Sequence, residues 1–318
     1  MTAGLGLSAY IDVPTYQRAP HNQEIASLLG MTTTTSAVGS QPAGTTSLAV
    51  TSSTGWAAGL AWILDGPTSE VVTVTASADG THVTLAAPGT VFAHNPGASV
   101  SQAGSAGSLA EVILRACAWI ENYCQQGASL GGAGDRSLFA ISRTERWAMP
   151  SMRAQIDRDN TIVVMPSHFP VQSLASISIE LGQSQTLSLD ATQLELQVAG
   201  RLIEIPYMLL GGPTVGQQLM LETKGLSRSQ RQWAVVTYTG GIPYTSGGQS
   251  AIPYDIQQAA IFVVSELLSQ RLNPTGAADV GLGKSRVTQR QRGDIVGDSI
   301  LMLRAHDLLD YYRAESWA

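Results

Sequence analysis

The stretch that decides the fold runs from Trp233 to Arg271 and reads WAVVTYTGGIPYTSGGQSAIPYDIQQAAIFVVSELLSQR. Its opening, Trp233 to Tyr238, predicts a strand, because β-branched and aromatic residues predominate and Gly240-Gly241 follows. Pro253 suits the first turn of a helix, because its missing N–H group has no helical partner there. The helix that follows is apolar almost all round, which is typical of a helix buried on several sides.

Helical spacing marks segments on both sides of this stretch. Ser108 and Glu111 have capping-box spacing, and apolar residues recur at helical intervals after them as far as Tyr123. Near the end of the chain, one helical stripe contains Leu301, Ala305, Leu308, Leu309 and Tyr312. A short helix is also predicted at 22–30, where Asn22 can act as the cap.

Two β-rich segments lie between the predicted helices. Residues 38–101 contain short alternating apolar runs, and Asp79-Gly80 between two of them is a strong hairpin signal. Residues 136–241 contain further compact or alternating runs, among them 161–165 and 174–181. We therefore expect an α+β fold, in which a helical-bundle core of three to four helices carries two β-rich insertions.

The predicted organisation has five segments. In chain order they are an N-terminal arm with a short helix (1–37), a small β-module (38–101), a first core helix (108–127), a β-domain (136–241), and C-terminal core helices with a tail (252–318). No internal repeat is evident, so a repeat architecture is not expected.

Composition limits the classes of function. Charged residues make up 13% of the chain and the net charge is −6, which argues against a general nucleic-acid coat, because phosphate binding depends on Lys and Arg.

Cys117 and Cys124 lie seven residues apart on one predicted helix, too far for a disulfide, so we expect reduced, buried thiols. No signal peptide and no transmembrane segment are predicted, so no membrane partner is expected.

The motif closest to an enzyme signature spans 278–285 and reads ADVGLGKS, a relaxed P-loop in which Ala replaces the first Gly. A P-loop needs a buried strand before it and a helix that begins at the Lys-Ser pair, and the sequence predicts neither. The five histidines are scattered, and no G-x-S-x-G elbow occurs. We therefore expect no enzyme, no cofactor and no metal, with a nucleotide-dependent packaging factor as the enzymatic alternative.

Two groups of residues are candidates for contacts with partners. The basic run comprises Lys284, Arg286, Arg290 and Arg292, and is either a solvated loop or a loop that meets DNA or an acidic neighbour. At the C-terminus, Tyr311, Tyr312 and Trp317 either pack locally or serve as anchors at an interface, because aromatic side chains bury much area at low entropic cost.

The stretch 233–271 resembles the long form of the tailed-phage head–tail connector (adaptor, or head-completion) family, in which a tyrosine-x-glycine-glycine turn is followed by a proline-x-aspartate helix start. Here these are Tyr238-Thr239-Gly240-Gly241 and Pro253-Tyr254-Asp255. The resemblance extends over roughly 108–313. It includes the helix at 108–126, the pieces Met165-Pro166 and Phe169-Pro170-Val171, and the closing helix within 293–313. Residues 38–101 depart from the simple family layout and look like an accessory β-module of phage structural proteins.

The resemblance implies a structural virion protein of the neck, assembled in the host cytoplasm. It implies a homo-oligomeric ring, dodecameric in the family, that lies between the portal and the tail or a stopper or tail-terminator protein and extends the DNA channel. The residues it places at a portal or tail interface are Tyr311, Tyr312, Arg313 and Trp317, and it places the basic run in the channel or at the portal. Tail completion, a baseplate component or a glycan-binding module are the alternatives.

Overall fold

The computed structural model describes residues 7–18, 34–77, 79–102, 108–126, 136–149, 154–156, 162–181, 185–189, 195–197, 201–205, 232–244, 252–272, 279–282, 285–288 and 300–313. Over these residues there are sixteen β-strands and four α-helices, so antiparallel sheet predominates. The predicted fold class, a helical-bundle core with β-rich insertions, is therefore wrong. The apolar helical stripes do form helices, but the sheets enclose two apolar cores of their own, which together contain more of the buried apolar side chains than the helices do.

The chain divides into two compact units. The first unit comprises Met1–Cys124 and Tyr244–Arg313, and the second comprises Gln125–Pro243 and Ala314–Ala318. The chain thus leaves the first unit after one helix and returns to it before another. The five segment boundaries inferred from the sequence stay a prediction.

A six-stranded antiparallel sheet dominates the start of the first unit. Its strands are β1 (Thr34–Ser36), β2 (Ser47–Ala49), β3 (Gly59–Leu64), β4 (Glu70–Ser77), β5 (His82–Leu85) and β6 (Ser99–Gln102), in the spatial order β1-β6-β3-β4-β5-β2. The two outermost strands meet, because Ala37 bridges Val50 and the Val38 nitrogen donates to the Ala49 carbonyl at 2.9 Å. The sheet therefore closes on itself around an apolar core.

The hairpin predicted at Asp79-Gly80 is confirmed between β4 and β5. Gly80 has a φ of +82°, a conformation that glycine adopts without steric cost. The Asp79 carboxylate accepts a hydrogen bond of 3.0 Å from the Thr81 nitrogen, which fixes the turn locally.

The first unit also contains the four helices, α1 (Val13–Arg18), α2 (Leu109–Cys124), α3 (Tyr254–Leu272) and α4 (Ile300–Leu309), the last continued by a 3-10 turn at Asp310–Tyr312. The predictions of α2, α3 and α4 are confirmed, and the Ser108 hydroxyl caps α2 by accepting from the Ala110 nitrogen. α3 packs against both α2 and α4. None of the helices in the described part of the chain is long and apolar enough to cross a membrane.

The segment before β1 is part of the packed structure. Tyr10, Ile11, Val13 and Tyr16 are fully buried, and the Tyr10 hydroxyl donates to Glu121 on α2 at 2.9 Å. α1 was not predicted; Asp12 caps it by accepting from the Thr15 nitrogen at 2.7 Å. The helix predicted at 22–30 lies outside the described residues.

The second unit contains two four-stranded antiparallel sheets that share one apolar core. One sheet has the order β11-β10-β14-β7 and the other β12-β13-β9-β8. The strands are β7 (Ile141–Met149), β8 (Ala154–Ile156), β9 (Ile162–Val164), β10 (Val171–Leu181), β11 (Gln185–Leu189), β12 (Glu195–Gln197), β13 (Leu202–Ile205) and β14 (Gln232–Gly240). The β-pattern predicted for 136–241 is confirmed at the strands that the structure describes.

A further hairpin, of β15 (Asp279–Leu282) and β16 (Ser285–Thr288), occupies part of the segment for which we expected only a loop. Ser285 begins a strand, so no helix starts at the Lys-Ser pair of the relaxed P-loop motif. The local structure that this motif needs for phosphate binding is therefore not formed at Ser285.

Candidate interaction surface

One side of α4 and of the turn that follows it presents large apolar side chains to solvent. Ile300 is 51% exposed, Leu303 44% and Tyr311 47%. Because a helix repeats every 3.6 residues, these positions fall on one side of the helix together with the exposed Arg304 and Asp307. We call these five residues the α4 outer face.

The opposite side of α4 is buried in the first unit. Ala305 and Leu309 are fully buried and Tyr312 is 7% exposed, as the helical stripe in the sequence predicts. Burial, with the nearby charge of Asp255 second, raises the pKa of Tyr312 to about 12. The Tyr311 ring meets the Tyr312 ring edge-on at 5.2 Å, so an exposed aromatic is braced by a buried one.

Three stacked rings fasten α4 to α2. The rings of Trp119 and Tyr123 lie 5.2 Å and 4.4 Å from the His306 ring, nearly parallel to it. The Tyr123 hydroxyl donates a hydrogen bond of 2.6 Å to Asp310 at the end of α4. Burial and the charge of Asp310 raise the pKa of Tyr123 to about 12. These contacts hold the α4 outer face in a fixed orientation within the first unit.

Of the predicted C-terminal interface residues, Tyr311 and Arg313 are exposed and Tyr312 is buried, while Trp317 lies outside the described residues. The Arg313 guanidinium lies 5.3 Å from the centre of the Tyr123 ring. Sequence reasoning missed Ile300 and Leu303, although both lie off the buried stripe. It also missed Trp119 and His306. The spacing of four residues between Trp119 and Tyr123 was a signal for an aromatic pair on one side of α2.

The basic run is described only in part. Arg286 lies on β16, and Lys284, Arg290 and Arg292 lie outside the described residues. The hypothesis that this run meets DNA or an acidic neighbour stays a prediction.

The second unit brings together two of the sequence pieces that carried the resemblance. The Tyr238 hydroxyl at the end of β14 accepts from the His168 nitrogen at 3.1 Å, and the Gly241 nitrogen donates to the Pro170 carbonyl at 2.9 Å. A Cβ at Gly240 would collide with the His168 carbonyl oxygen, and one at Gly241 would lie 2.6 Å from the Phe139 carbonyl oxygen. The two glycines therefore permit a close approach of backbones that a larger residue would prevent.

A buried polar cluster supports this turn. Glu145 accepts hydrogen bonds from the Ser167 nitrogen at 3.1 Å, from the Ser167 hydroxyl, and from the Tyr238 hydroxyl at 2.9 Å. Burial lowers the pKa of His168 to about 4, so its ring is neutral at pH 7, and Nε2 donates to the Phe139 carbonyl at 3.0 Å. The cluster contains a serine, a histidine and a glutamate, but the serine is bonded to the glutamate and the histidine to a backbone carbonyl. That arrangement fixes a turn and does not activate a hydroxyl as a nucleophile.

Over the described residues, no group of three or more His, Cys, Asp or Glu side chains is placed to hold a metal ion. Cys117 and Cys124 are buried free thiols, as predicted, and burial raises the pKa of each to about 12.

No protein-family model matches the chain, and no curated protein matches it. Among solved structures, the chain is similar to a chain of the "Neck of empty GTA particle computed with C6 symmetry", with 16% sequence identity and a TM-score of 0.32. This similarity covers 66% of the present chain and 78% of that chain. A TM-score at this level does not establish a common fold.

Proposed function

We propose that the chain is a structural subunit of the neck of a tailed-phage-like particle, a head–tail connector that acts as one wedge of a ring. In this proposal the ring lies between the portal and the tail or a stopper protein and surrounds the DNA channel. The solved structure to which the chain has a weak likeness also belongs to a particle neck, although that likeness carries no weight by itself.

The observation that carries the proposal is the packing of the three helices in which the resemblance was found. α3 contacts both α2 and α4 within the first unit, and the β-structure of the second unit is formed by the chain between α2 and α3. This is the order of elements that the resemblance implies, and the second unit contains the interlocked Tyr238–Gly241 turn.

The α4 outer face supports an assembly role. The helix that carries its apolar side chains is fastened to α2 by the stacking of His306 on Trp119 and Tyr123, so their exposure does not come from a loose helix end. An exposed apolar surface bordered by charges, here Arg304 and Asp307, is typical of a protein–protein contact. A closed ring needs two unlike lateral surfaces on each subunit, and we assign the α4 outer face to a subunit or portal contact.

The polar clusters of the described residues support a non-enzymatic role. Glu145 is buried and its carboxylate is satisfied by Ser167 and Tyr238, so it is not available to a substrate. Contact of the basic run with DNA in the channel is the part of the proposal that depends on Lys284, Arg286, Arg290 and Arg292.

The test is assembly. The purified chain, alone and mixed with the portal protein of its own particle, would be examined by mass photometry and by negative-stain imaging. We expect rings, or a stable complex with the portal ring. Leu303→Asp should weaken assembly by about 30-fold or more, because a charge in the centre of an apolar contact costs about 2 kcal/mol or more.

The matched control is Val38→Asp, which introduces the same charge at a residue that is 52% exposed elsewhere in the first unit. It should assemble as the unmodified chain does. A chain that stays monomeric in every mixture, or a Leu303→Asp variant that assembles normally, contradicts the assignment of this surface. Tight ATP binding that is lost on Lys284→Ala would favour the packaging-factor alternative instead.

A further inference from the structure

A buried imidazole lies between two carboxylates in the first unit. His94 has a fully buried side chain, and its Nε2 lies 2.7 Å from Oε1 of Glu70. Its Nδ1 lies 3.4 Å from Oδ2 of Asp65, the distance of an ion pair without a well-directed hydrogen bond. A protonated His94 ring would place one cation between the two anionic carboxylates, and this arrangement favours the protonated ring.

Each carboxylate is held by backbone N–H groups as well. Glu70 accepts from the nitrogens of Val91 and Phe92 at 2.9 to 3.1 Å, and Asp65 accepts from the nitrogen of Asn95 at 2.9 Å. The loop between β5 and β6 is therefore fastened to β4 and to the turn before it through these two side chains. Charge-assisted hydrogen bonds of this kind are about twice as strong as neutral ones.

The same cluster holds the segment by which the chain returns to the first unit. The Tyr244 hydroxyl donates to Oδ1 of Asp65 at 2.7 Å. The Tyr244 ring packs on Gly66, whose φ is +53° and where a Cβ would collide with the ring. Gly66 is thus required twice, once for its backbone conformation and once for the ring above it.

We propose that Asp65, Glu70, His94 and Tyr244 form a pH-sensitive clasp, in which the imidazolium of His94 fastens the closed sheet to the segment that begins at Tyr244. When the ring loses its proton, two buried carboxylates remain without their cation, which is strongly unfavourable, and the contacts to the loop and to Tyr244 loosen. The clasp would operate whether or not the chain belongs to a particle neck.

The charges that face His94 determine the sign of the effect. Burial acts to lower the pKa of His94, but Asp65 and Glu70 together raise it above its ordinary value of 6.5. Burial acts to raise the pKa of each carboxyl, but His94 and the surrounding donors hold Asp65 below 3.8 and Glu70 below 4.5.

Other neighbours of the clasp change this balance little. Tyr244 is neutral, because burial, with the hydrogen bond to Asp65 second and the charges of Asp65 and Asp12 contributing, raises its pKa. Gln41, which pairs with the His94 backbone, is uncharged. The stabilisation is therefore complete between pH 4.5 and 6.5. This stabilisation is lost as the pH rises through the pKa of His94 in the folded chain. It is also lost as the pH falls through the pKa values of Asp65 and Glu70 in the folded chain.

The test uses the full chain. Nitrogen-15 NMR of the histidine rings would follow His94 from about pH 5 to about pH 9, and hydrogen exchange would follow the amides of Val91, Phe92 and Asn95, corrected for intrinsic rates. We expect both ring protons of His94 to persist above pH 6.5, the ordinary histidine pKa. We also expect the three amides to exchange about tenfold faster or more once the ring is deprotonated, since a loss of about 1.4 kcal/mol corresponds to a factor of ten.

Two variants complete the experiment. In the His94→Gln variant these three amides should exchange fast at every pH, without the pH dependence of the unmodified chain. In the His82→Gln variant, which alters the exposed pair with Asp79, they should exchange as in the unmodified chain. A His94 ring that deprotonates below pH 6.5, or amide protection that does not change when it does, overturns the proposal. If His94→Gln does not fold, the NMR titration of the unmodified chain decides the matter.

Discussion

The backbone nitrogen of Gly241 donates a hydrogen bond of 2.9 Å to the carbonyl oxygen of Pro170. This bond joins the end of β14 to the loop before β10, at the end of the sheet where Tyr238 and Glu145 also meet. Its geometry depends on the absence of a side chain at Gly241, because a Cβ there would lie 2.5 Å from Nε2 of His168.

Gly241→Ala should therefore destabilise the second unit by about 2 to 3 kcal/mol, as expected where strained backbone and a steric clash coincide. Gly241 has a φ of +113°, and besides the His168 ring a Cβ there would meet the backbone carbonyl of Phe139, which cannot move aside cheaply. Hydrogen exchange of the β10 and β14 amides measures the loss. Gly97→Ala, in the first unit, is the control. Gly97 has a φ of +86°, but nothing lies within 4 Å of the new Cβ, so only the conformational cost of about 1 kcal/mol applies. The loss in the control is measured at the β3 and β6 amides of its own unit, and equal losses in the two variants would argue against the clash.

Acidification should weaken the second unit through His168. The pKa of His168 is about 4 in the folded chain and 6.5 ordinarily. Between pH 4 and 6.5 the histidine is therefore protonated in the unfolded chain and neutral in the folded chain. The second unit should lose about 3 kcal/mol as the pH falls from 6.5 to about 4, at about 1.4 kcal/mol per pH unit. The His168→Gln variant should show a smaller loss. A second unit equally stable at both pH values would contradict a neutral, buried His168.

Tyr238→Phe should destabilise the second unit by about 1 to 3 kcal/mol. The change removes one donor from the carboxylate of Glu145 and one acceptor from the His168 nitrogen, and both residues are buried. Urea unfolding measures the difference. Tyr254→Phe removes the same atom from a side chain that is 74% exposed and should leave the midpoint unchanged.

Neither cysteine should react with a thiol reagent in the folded chain at about pH 8. Cys117 and Cys124 are buried, and a pKa of about 12 leaves only about one thiolate in ten thousand at that pH. Both should react at once in denaturant. Rapid labelling of either thiol under native conditions would show that α2 opens more readily than its burial indicates.

Much of the local structure could be predicted from the sequence. The helices at 108–126 and 253–271 and the hairpin at Asp79-Gly80 followed from spacing, caps and turn residues, because these signals act within a few residues. The fold class did not follow. An apolar stripe shows that a helix is buried, but it does not show that the closed sheet and the two sheets of the second unit enclose more of the apolar residues.

The candidate surface was predicted only at its end. Tyr311 stood out as an aromatic residue near the C-terminus, whereas Ile300 and Leu303, which lie off the predicted buried stripe, were not singled out. The His94 clasp was not predicted at all. Asp65 and Glu70 lie near each other in the chain, but His94 and Tyr244 are far from both, and only the closed sheet and the return of the chain at Tyr244 bring the four residues together.

The closed sheet has one more consequence, which concerns its two ends. Thr34 on β1 lies directly opposite Ser101 on β6, so the chain enters and leaves the sheet within one strand spacing. Domains with adjacent ends can be inserted into a host chain, or removed from it, with little change in the path of the backbone. This sheet has the geometry of a domain that can be excised, and its removal would take away the hydrogen-bond acceptors of the Tyr244 hydroxyl and of the Leu7 and Ala9 nitrogens.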